Sequence, residues 1–301
     1  MKKRVSAILL ALVLVFGLLP ATVFAAGGMG TAVYVRSDGN DTTGDGSADK
    51  PYATLAKAVD VAKDGATIYV MSDLTMTKCA RYYDKDLTIT SLNPNDPVTI
   101  FRGTEFDTQN DPRSWYNPAL IEVQTKGEAE RCGLILHHII LDDKGLHEGS
   151  IFAQASSGSG TDQIDNTTIV QDAMIASNAT VPCTITLGEG AILRNFGGMS
   201  AVRVTEKAKL VMESGSKIED TTVTDRVKGP SGSVGPAGAI WVQGASITME
   251  KGSEISNIIG RAVYVDGGDV RIDGTITNIK ADTDMWENVN GTVPVSYTHL
   301  T

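Results

Sequence analysis

Aromatic residues and charge are both scarce in this sequence. Of its 301 residues, 6% are aromatic and 21% are charged, and the low charge excludes a long coiled coil. Glycine, at 31 residues, is far below the one in three that collagen requires. Because 42% of the residues are hydrophobic, enough apolar surface remains to bury a core, which argues against a chain that is disordered throughout.

Positive charge is scarce as well. The chain has 26 basic and 36 acidic side chains and a net charge of −10; removal of residues 1–25 leaves 23 basic groups against 36 acidic ones, a net charge of −13. Such a chain repels a polyanion on average, and no basic stripe offsets the repulsion. Nucleic acid is therefore not expected among its partners.

Residues 1–25 are predicted to be a secretory signal peptide. Residues 2–4 are basic, residues 5–19 are apolar but too few to span a bilayer comfortably, and small residues surround a cleavage position near Ala25 and Ala26. The alternative is an uncleaved N-terminal anchor. No later run is apolar enough to cross a membrane, so we expect no transmembrane segment in the mature chain and a secreted or cell-surface location. Residues 26–30 are interpreted as a linker.

Residues 295–301 break the pattern of the preceding sequence. Their composition resembles the translation of an adaptor used in sequencing libraries, and we interpret them as an artefact of that kind. The expectation that follows is a natural chain that continues past residue 294, which reading the genomic locus across this point would test.

Residues 31–70 are predicted to form an N-terminal cap of strand, Asp/Gly-rich loop, helix and strand. Thr54 is placed to accept a hydrogen bond from a backbone N–H of the first helical turn. Gly65 is placed for a left-handed C-terminal cap. One apolar stripe of the helix, at i, i+3, i+4 and i+7, is formed by Leu55, Ala58, Val59 and Ala62.

Residues 71–294 contain no second helix of normal length and are predicted to form short strands separated by Gly, Asn, Asp and Ser. This pattern indicates a sandwich, a barrel or a solenoid. The predicted strands are residues 87–90, 98–101, 120–123, 134–141, 168–170 and 184–187.

Internal repetition favours the solenoid among these three. Segments that begin at Ala201, Ala239 and Ala262 each contain a short aliphatic strand followed by a second strand, and the last two are offset by 23 positions. The first offset is 38, and its surplus of 15 matches a Gly/Pro/Ser-rich excursion at residues 221–238. Because each strand alternates apolar with polar residues, one turn buries its apolar face only by stacking on the next.

The predicted cap carries an extended motif. Its residues are Val33-Tyr34-Val35, Asp38-Gly39-Asn40-Asp41, Gly46, Lys50-Pro51-Tyr52-Ala53-Thr54-Leu55, Ala58-Val59, Ala62 and Asp64-Gly65-Ala66-Thr67-Ile68-Tyr69-Val70. This motif resembles the opening of right-handed parallel β-helix proteins, the pectate-lyase-like superfamily, in which the helix covers the open end of the sheets. The later copies resemble the repetitive β-helix regions of large bacterial adhesin-like surface proteins.

The resemblance covers about residues 31–290. It implies an all-β fold, a right-handed parallel β-helix or solenoid with one short N-terminal capping helix, whose coils occupy residues 71–294. The fold hosts both enzymes and adhesins, so it does not by itself assign a function.

One acidic cluster matches what the enzymes of this superfamily need. In its polysaccharide lyases, aspartates hold calcium against a uronate carboxylate, and the cation makes the adjacent C–H more acidic for an Arg or Lys base. The best candidate here is Asp142, Asp143, His147 and Glu148, just after a predicted strand. The alternative is a simple turn, because Asp and Gly are common turn residues.

A second acidic segment lies in the cap. Asp38, Asn40, Asp41 and Asp45 supply oxygen atoms of the kind that calcium prefers. Their spacing does not match an EF-hand, and the alternative is a solvated turn that leads into the helix.

Histidine and cysteine are poorly spaced for a metal site. His137 and His138 are adjacent on a predicted strand, so we expect them to point to opposite faces. Cys79, Cys132 and Cys183 are too far apart for a zinc or redox motif. In an exported protein they form either one disulfide and one thiol or three reduced core residues, and the sequence does not choose between these states.

Two aromatic residues occupy equivalent positions of adjacent repeats. Trp241 and Tyr264 come one place after Ile240 and Val263. If the aliphatic residues point inward, the rings form an exposed ladder suited to sugar faces; the opposite register places them in the core.

Two functions from different classes follow. The favoured one is a non-catalytic β-helix region of a secreted or cell-surface bacterial adhesin-like protein that binds a polysaccharide or a host or cell-surface glycoprotein and needs no cofactor. The alternative is a carbohydrate-active enzyme, either a calcium-dependent polysaccharide lyase or a glycoside hydrolase with paired carboxylates. An enzyme of this fold is expected to show outward carboxylates on consecutive turns.

Overall fold

The computed structural model describes residues 32–106, 119–144, 171–177, 179–223 and 238–280. The predicted signal peptide, the linker, residues 281–301 and all but the edges of the 221–238 excursion lie outside these ranges, as do His147 and Glu148. Across the described ranges, no helix has the length and hydrophobicity that crossing a bilayer requires.

The described residues form one helix and 21 strands. The helix is α1 (Leu55–Val61). The strands are β1 (Ala32–Val35), β2 (Ala66–Val70), β3 (Leu74–Met76), β4 (Ala80–Tyr83), β5 (Asp86–Ser91), β6 (Thr99–Arg102), β7 (Ile121–Gln124), β8 (Cys132–His137), β9 (Ile140–Asp142), β10 (Gln171–Ser177), β11 (Cys183–Leu187), β12 (Ile192–Arg194), β13 (Gly197–Thr205), β14 (Ala208–Met212), β15 (Lys217–Val223), β16 (Ile240–Gln243), β17 (Ser246–Met249), β18 (Glu254–Ile259), β19 (Val263–Asp266), β20 (Val270–Ile272) and β21 (Thr275–Lys280).

The strands form three parallel sheets. The first sheet has the order β1-β2-β5-β8-β11-β14-β17-β20, the second β3-β6-β9-β12-β15-β18-β21 and the third β4-β7-β10-β13-β16-β19. The second and third sheets are joined where Gly197 and Gly198 of β13 pair with β15. Each pairing between the described strands is parallel. The predicted all-β class with parallel strands and one short helix is confirmed.

The chain returns to the same sheet at intervals, as in a parallel β-helix. The register offset between paired strands ranges from 21 positions, between Glu254 and Thr275, to 54 positions, between Ile121 and Ile175. The last described turns repeat every 23 positions in both the third sheet and the first, the spacing read from the sequence. The pairing of the described strands stays parallel while the offset varies.

A single apolar core lies on the inner faces of the sheets. In the first sheet, one inward column of register partners is at most 2% exposed and comprises Leu87, Leu134, Ile185, Leu210 and Ile247. Alternate residues face outward because successive side chains of a strand point to opposite faces. Full burial of one such side chain contributes about 1.5–3 kcal/mol, so the column is a major source of stability.

The N-terminal helix is confirmed in position and in its first cap. The Thr54 side chain accepts a hydrogen bond from the backbone N–H of Lys57 at 3.1 Å. The predicted role of Gly65 as the C-terminal cap is wrong: Ala62 is the cap residue, and Gly65 lies in the turn that precedes β2, with a φ of +74°. Because a turn of three residues intervenes, the left-handed glycine serves the strand that follows rather than the helix.

The predicted strand at residues 134–141 is two strands. β8 ends at His137, His138 has a φ of +46°, and β9 begins at Ile140. A left-handed residue turns the chain from the first sheet into the second. The hydrophobic run on both sides of the turn faces the same core, and this is why the sequence alone reads as one strand.

Left-handed Asn and Asp residues also mark corners of the second sheet: one directly follows β12, and the others lie within β15, β18 and β21. Their φ angles lie between +51° and +56°, a conformation that these short polar residues tolerate; they are Asn195, Asp220, Asn257 and Asn278. Their side chains bond along the stack: Asn257 Nδ2 donates to Asp220 Oδ1 at 2.9 Å, and Asn278 Nδ2 donates to Asn257 Oδ1 at 2.5 Å. The corner ladder therefore satisfies its own polar groups from turn to turn.

Candidate functional site

The candidate catalytic carboxylate Asp142 is part of a hydrogen-bonded corner. It lies at the end of β9 and is 4% exposed. It accepts hydrogen bonds from Arg194 Nε at 2.7 Å, from the backbone N–H of Lys144 at 2.8 Å and from Asn195 Nδ2 at 3.0 Å. Burial acts to raise the pKa of Asp142, but the bonds from Asn195, Lys144 and Arg194 together lower it. A carboxylate held by three donors is poorly suited to accept a proton.

Its neighbour Asp143 forms a fully buried ion pair. Arg102 Nε donates to Asp143 Oδ1 at 2.5 Å, and the two side chains are 1% and 0% exposed. The same guanidinium donates through Nη2 to the backbone carbonyl of Ala173 at 3.0 Å and lies 4.5 Å from the ring centroid of Phe106. These contacts join the second sheet to the third, which indicates a structural role. The other two candidates, His147 and Glu148, lie outside the described residues.

In the cap loop, Asn40 and Asp41 serve the local backbone. The Asn40 side chain accepts from the backbone N–H groups of residues 42 and 43, both at 2.8 Å. Asp41 accepts from the N–H groups of Ala53 and Thr54 at 2.8 and 3.0 Å and from the Thr54 hydroxyl at 2.7 Å. Asp41 therefore fixes the residue that caps α1.

The other two oxygen donors of this loop are also engaged. Asp38 forms an ion pair with Arg36 on the surface. Asp45 accepts from the backbone N–H of Ser47 at 3.0 Å, and hydrogen bonds from Ser47 lower its pKa. The loop geometry thus has a complete explanation in its own hydrogen bonds, and calcium binding there stays a prediction.

Trp241 and Tyr264 are register partners on adjacent strands of the third sheet. Residues 240 and 242, on either side of Trp241, are fully buried in the core, so the indole lies on the opposite, outer face. Trp241 is nevertheless only 9% exposed, whereas Tyr264 is half-buried. The structure therefore places both rings outside the core but makes Tyr264 the more accessible of the two.

Arginine accompanies each of these rings. Arg203, the register partner of Trp241 on β13, has its guanidinium carbon 5.7 Å from the indole centroid, and Arg261 lies 5.6 Å from the centroid of Tyr264. Such cation–π contacts contribute about 0.5–1 kcal/mol at exposed positions and orient the guanidinium. The outer column of register partners in this sheet is Arg81, Glu122, Ala176, Arg203, Trp241 and Tyr264.

The Trp241 indole leaves one donor unused within the described residues. Its Nε1 is buried and has no hydrogen-bond partner among them. A buried donor without an acceptor costs about 1–3 kcal/mol. The indole N–H of Trp241 is therefore closed to solvent, and the accessible ring of this column is Tyr264.

A second aromatic pair escaped the sequence analysis. Tyr34 of β1 and Tyr69 of β2 are register partners on the outer face of the first sheet, and their rings stack with centroids 5.3 Å apart and planes inclined by 22°. Each tyrosine lies between two buried aliphatic residues, in Val33-Tyr34-Val35 and Ile68-Tyr69-Val70. Aligning the sequences of β1 and β2 would have placed the two tyrosines opposite each other and so predicted the pair.

The two adjacent histidines lie closer together than their predicted opposite orientation allows. Their ring centroids are 6.2 Å apart, because His138 is at the left-handed turn rather than on a strand. A Cβ added at Gly188 or Gly190 would come within 2.2 Å of the His137 ring or 2.7 Å of the His138 ring. The prediction of opposite faces is therefore wrong. The turn that contains Gly188 and Gly190 leaves room for both imidazole rings because glycine has no Cβ.

Three carboxylates occupy successive turns at the end of the first sheet. Glu213, Glu250 and Asp273 each follow the last residue of a strand, and the backbone N–H groups of Glu250 and Asp273 donate to the preceding turn at 2.8 Å. Glu213 is half-buried, and the other two are exposed. The part of the chain that the structure describes contains no group of three or more His, Cys, Asp and Glu side chains placed to hold a metal ion.

Comparison with known proteins adds little to this geometry. No protein-family model and no curated protein matches the sequence. Among solved structures, a rhamnogalacturonan lyase is similar with 13% sequence identity and a TM-score of 0.24, over 84% of this chain and 62% of that protein. The chain thus spans less than two thirds of the lyase. Because the similarity is this low, the fold is assigned from the parallel sheets of the chain itself.

Proposed function

We propose that this chain is a right-handed β-helix region of a secreted or cell-surface, adhesin-like bacterial protein and that it binds glycans without catalysis. The observation that supports this proposal is the outward column of Arg203, Trp241 and Tyr264, with Arg261 beside the last ring. The Tyr264 end of the column is the accessible contact.

The chemistry of sugars fits this column. A pyranose presents an apolar face that packs on an aromatic ring, and its hydroxyl and carboxylate oxygens accept hydrogen bonds from a guanidinium. Adjacent strands are about 4.8 Å apart, so the column repeats at a distance close to the advance of one pyranose unit in an extended polysaccharide. An extended chain of sugars lying across the strands is therefore the ligand that this surface suits best.

The test compares the two aromatic pairs. The full chain is titrated against immobilised polysaccharides and glycoprotein glycans, with Tyr264→Ala and Arg261→Ala as test variants and Tyr34→Ala as the matched control on the first sheet. Loss of the Tyr264 ring should weaken binding about tenfold or more, since a central aromatic contact contributes on the order of 2 kcal/mol. Far-UV circular dichroism of each variant checks that the fold is retained.

Two outcomes would overturn the proposal. One is a wild-type chain that binds none of the glycans. The other is a Tyr264→Ala variant that binds as tightly as the wild type while Tyr34→Ala loses binding, which would move the site to the first sheet.

A carbohydrate-active enzyme is the second candidate, and one observation favours it. Glu213, Glu250 and Asp273 lie on successive turns, the arrangement expected of an enzyme of this fold. Incubation with pectins and other plant glycans, with and without calcium, tests this function. Calcium-dependent product formation that is lost in Glu250→Gln would replace the binding proposal with this one.

A further inference from the structure

Cys132 and Cys183 meet on adjacent turns of the first sheet. They are register partners at the start of β8 and β11, and both are 2% exposed on the inner face. Both are free thiols in the structure. The sequence alone did not indicate which cysteines approach one another, because 51 positions separate these two.

The backbone geometry suits a covalent link. Directly paired residues on neighbouring strands have Cα atoms about 4.8 Å apart, and disulfides occur at Cα separations of about 4.4–6.8 Å. Both side chains point to the same face at the same level, so the pair meets the Cα requirement for a disulfide. The next residue in the column, Ala208, is small and leaves the pair its space.

Within the first sheet, a cross-link at this position closes the longest loop between paired strands. The offset of 51 between Cys132 and Cys183 is the largest between paired strands of the first sheet; the following one, from Cys183 to Ala208, is 25. The gain from closing a loop increases with its length. A link at this rung therefore ties down the longest excursion from the sheet.

We propose that Cys132 and Cys183 form a disulfide bond that joins two successive turns of the β-helix when the chain folds in an oxidising compartment. The bond depends on the proposed extracellular location but not on glycan binding. The oxidant is a disulfide, carried by a protein or by a small molecule such as glutathione disulfide.

Ser177 lies beside the pair. Its hydroxyl oxygen is 3.4 Å from Cys183 Sγ. The thiolate is the nucleophile in disulfide exchange, so the exchange starts when one thiol of the pair, such as Cys183, loses its proton.

The reaction balances as two exchanges. The Cys183 thiolate attacks the oxidant disulfide, forms a mixed disulfide and releases one oxidant thiol, which takes the Cys183 proton. Cys132 then loses its proton and attacks Cys183 Sγ, which forms the Cys132–Cys183 bond and releases the second oxidant thiol. The two cysteines lose two electrons in total, and the oxidant disulfide gains them. Because both thiols are buried, the exchange occurs during folding or local opening.

The experiment refolds the full chain from the reduced state with glutathione disulfide, blocks the remaining thiols with N-ethylmaleimide in denaturant and maps tryptic peptides. The proposal expects a disulfide between peptides 132–144 and 145–194, whereas Cys79 lies on peptide 79–81. The cross-linked protein should melt on the order of 10 °C above the same protein after reduction. Cys79→Ser is the matched control and should keep both the linked peptides and the difference in melting temperature.

The contrary results are equally specific. If both Cys132 and Cys183 take up N-ethylmaleimide before reduction, or if the linked peptide contains Cys79, the proposal is wrong. Cys183→Ser should lose the link; because that variant can also fold poorly, the reduced wild type provides the independent comparison. The measurement uses no glycan, so a failure of glycan binding leaves its outcome unchanged.

Discussion

Residues 119–144 and residues 238–280 belong to the same three sheets but satisfy their polar groups by different means. In the first region, Asp143 is paired with the distant Arg102, and Asp142 is held by Arg194. In the second, Ser253 donates to the carbonyl of Glu250 within its own turn. In the first region the paired carboxylates are buried, whereas in the second the paired carboxylates of Glu254 and Asp273 are partly exposed and the buried Ser253 hydroxyl forms a short-range hydrogen bond.

The register offsets of the two regions also differ. Around Asp142 the second sheet advances by 41 positions from β6 to β9, whereas the last described turns of the first sheet advance by 23. A local hydrogen bond can nevertheless repeat across a long offset: the hydroxyls of Ser216 and Ser253, 37 positions apart, each lie 2.6 Å from the carbonyl three residues earlier. The corner at Asp142 and Asp143 is instead held by arginines distant in sequence, Arg194 and Arg102.

The largest effect should come from breaking the buried ion pair. Asp143→Ala removes the carboxylate that pairs with the buried Arg102, and we expect a loss of about 3–5 kcal/mol in the free energy of unfolding. Urea denaturation followed by circular dichroism measures it. The double variant Arg102→Met, Asp143→Leu should recover most of the loss, because it removes both charges. Unchanged stability of Asp143→Ala would show that the two regions do not differ in this respect.

A smaller effect is expected in the corner ladder. Asn257 has a φ of +56°, so Asn257→Ala should lower the free energy of unfolding by about 1–2 kcal/mol, because alanine lacks the polar side chain whose hydrogen bonds let asparagine tolerate the left-handed region. Asn257→Gly is the matched control, since it accepts the same φ and loses only the side-chain hydrogen bonds. Equal denaturation midpoints for the two variants would contradict the backbone explanation.

The repeated serines should respond alike. Ser216→Ala and Ser253→Ala each remove one hydrogen bond of the same 2.6 Å length from a buried hydroxyl, and each should cost about 1 kcal/mol. Thermal unfolding of the two single variants compares them directly. Clearly different losses of stability in the two variants would show that equivalent positions of adjacent turns are not energetically equivalent.

The smallest effect concerns pH. The folded pKa of Asp142 is lowered, so its stabilisation is fully present above the unfolded value of about 3.9 and is lost as pH falls through the lower folded value. We expect the free energy of unfolding to decrease below about pH 4, with a slope from this group of at most about 1.4 kcal/mol per pH unit. In Asp142→Asn that part of the slope should disappear, which urea titrations between pH 2 and pH 6 would measure.

Local patterns made much of the fold predictable. Thr54 was recognisable as a helix cap because its hydroxyl acts on a residue three positions away. The 23-position spacing was recognisable because both copies are present in the chain, and the register pairs Ile240 with Val263 at that spacing. The candidate sites were less predictable. The sequence pattern predicted His138 to lie on a strand, because the alternation of hydrophobic residues does not reveal a single residue in the left-handed conformation.

The amino-acid sequence by itself determined the short strands, the capping helix and the alternation that makes one face of each strand apolar, because these depend on residues only a few positions apart. The tertiary structure alone decided that Arg102 neutralises Asp143, that Trp241 lies outside the core, and that Cys132 meets Cys183. Each of these contacts depends on how much chain leaves the sheets between two turns. That length varies from turn to turn, so the residues that become neighbours are decided only when the strands of successive turns pair.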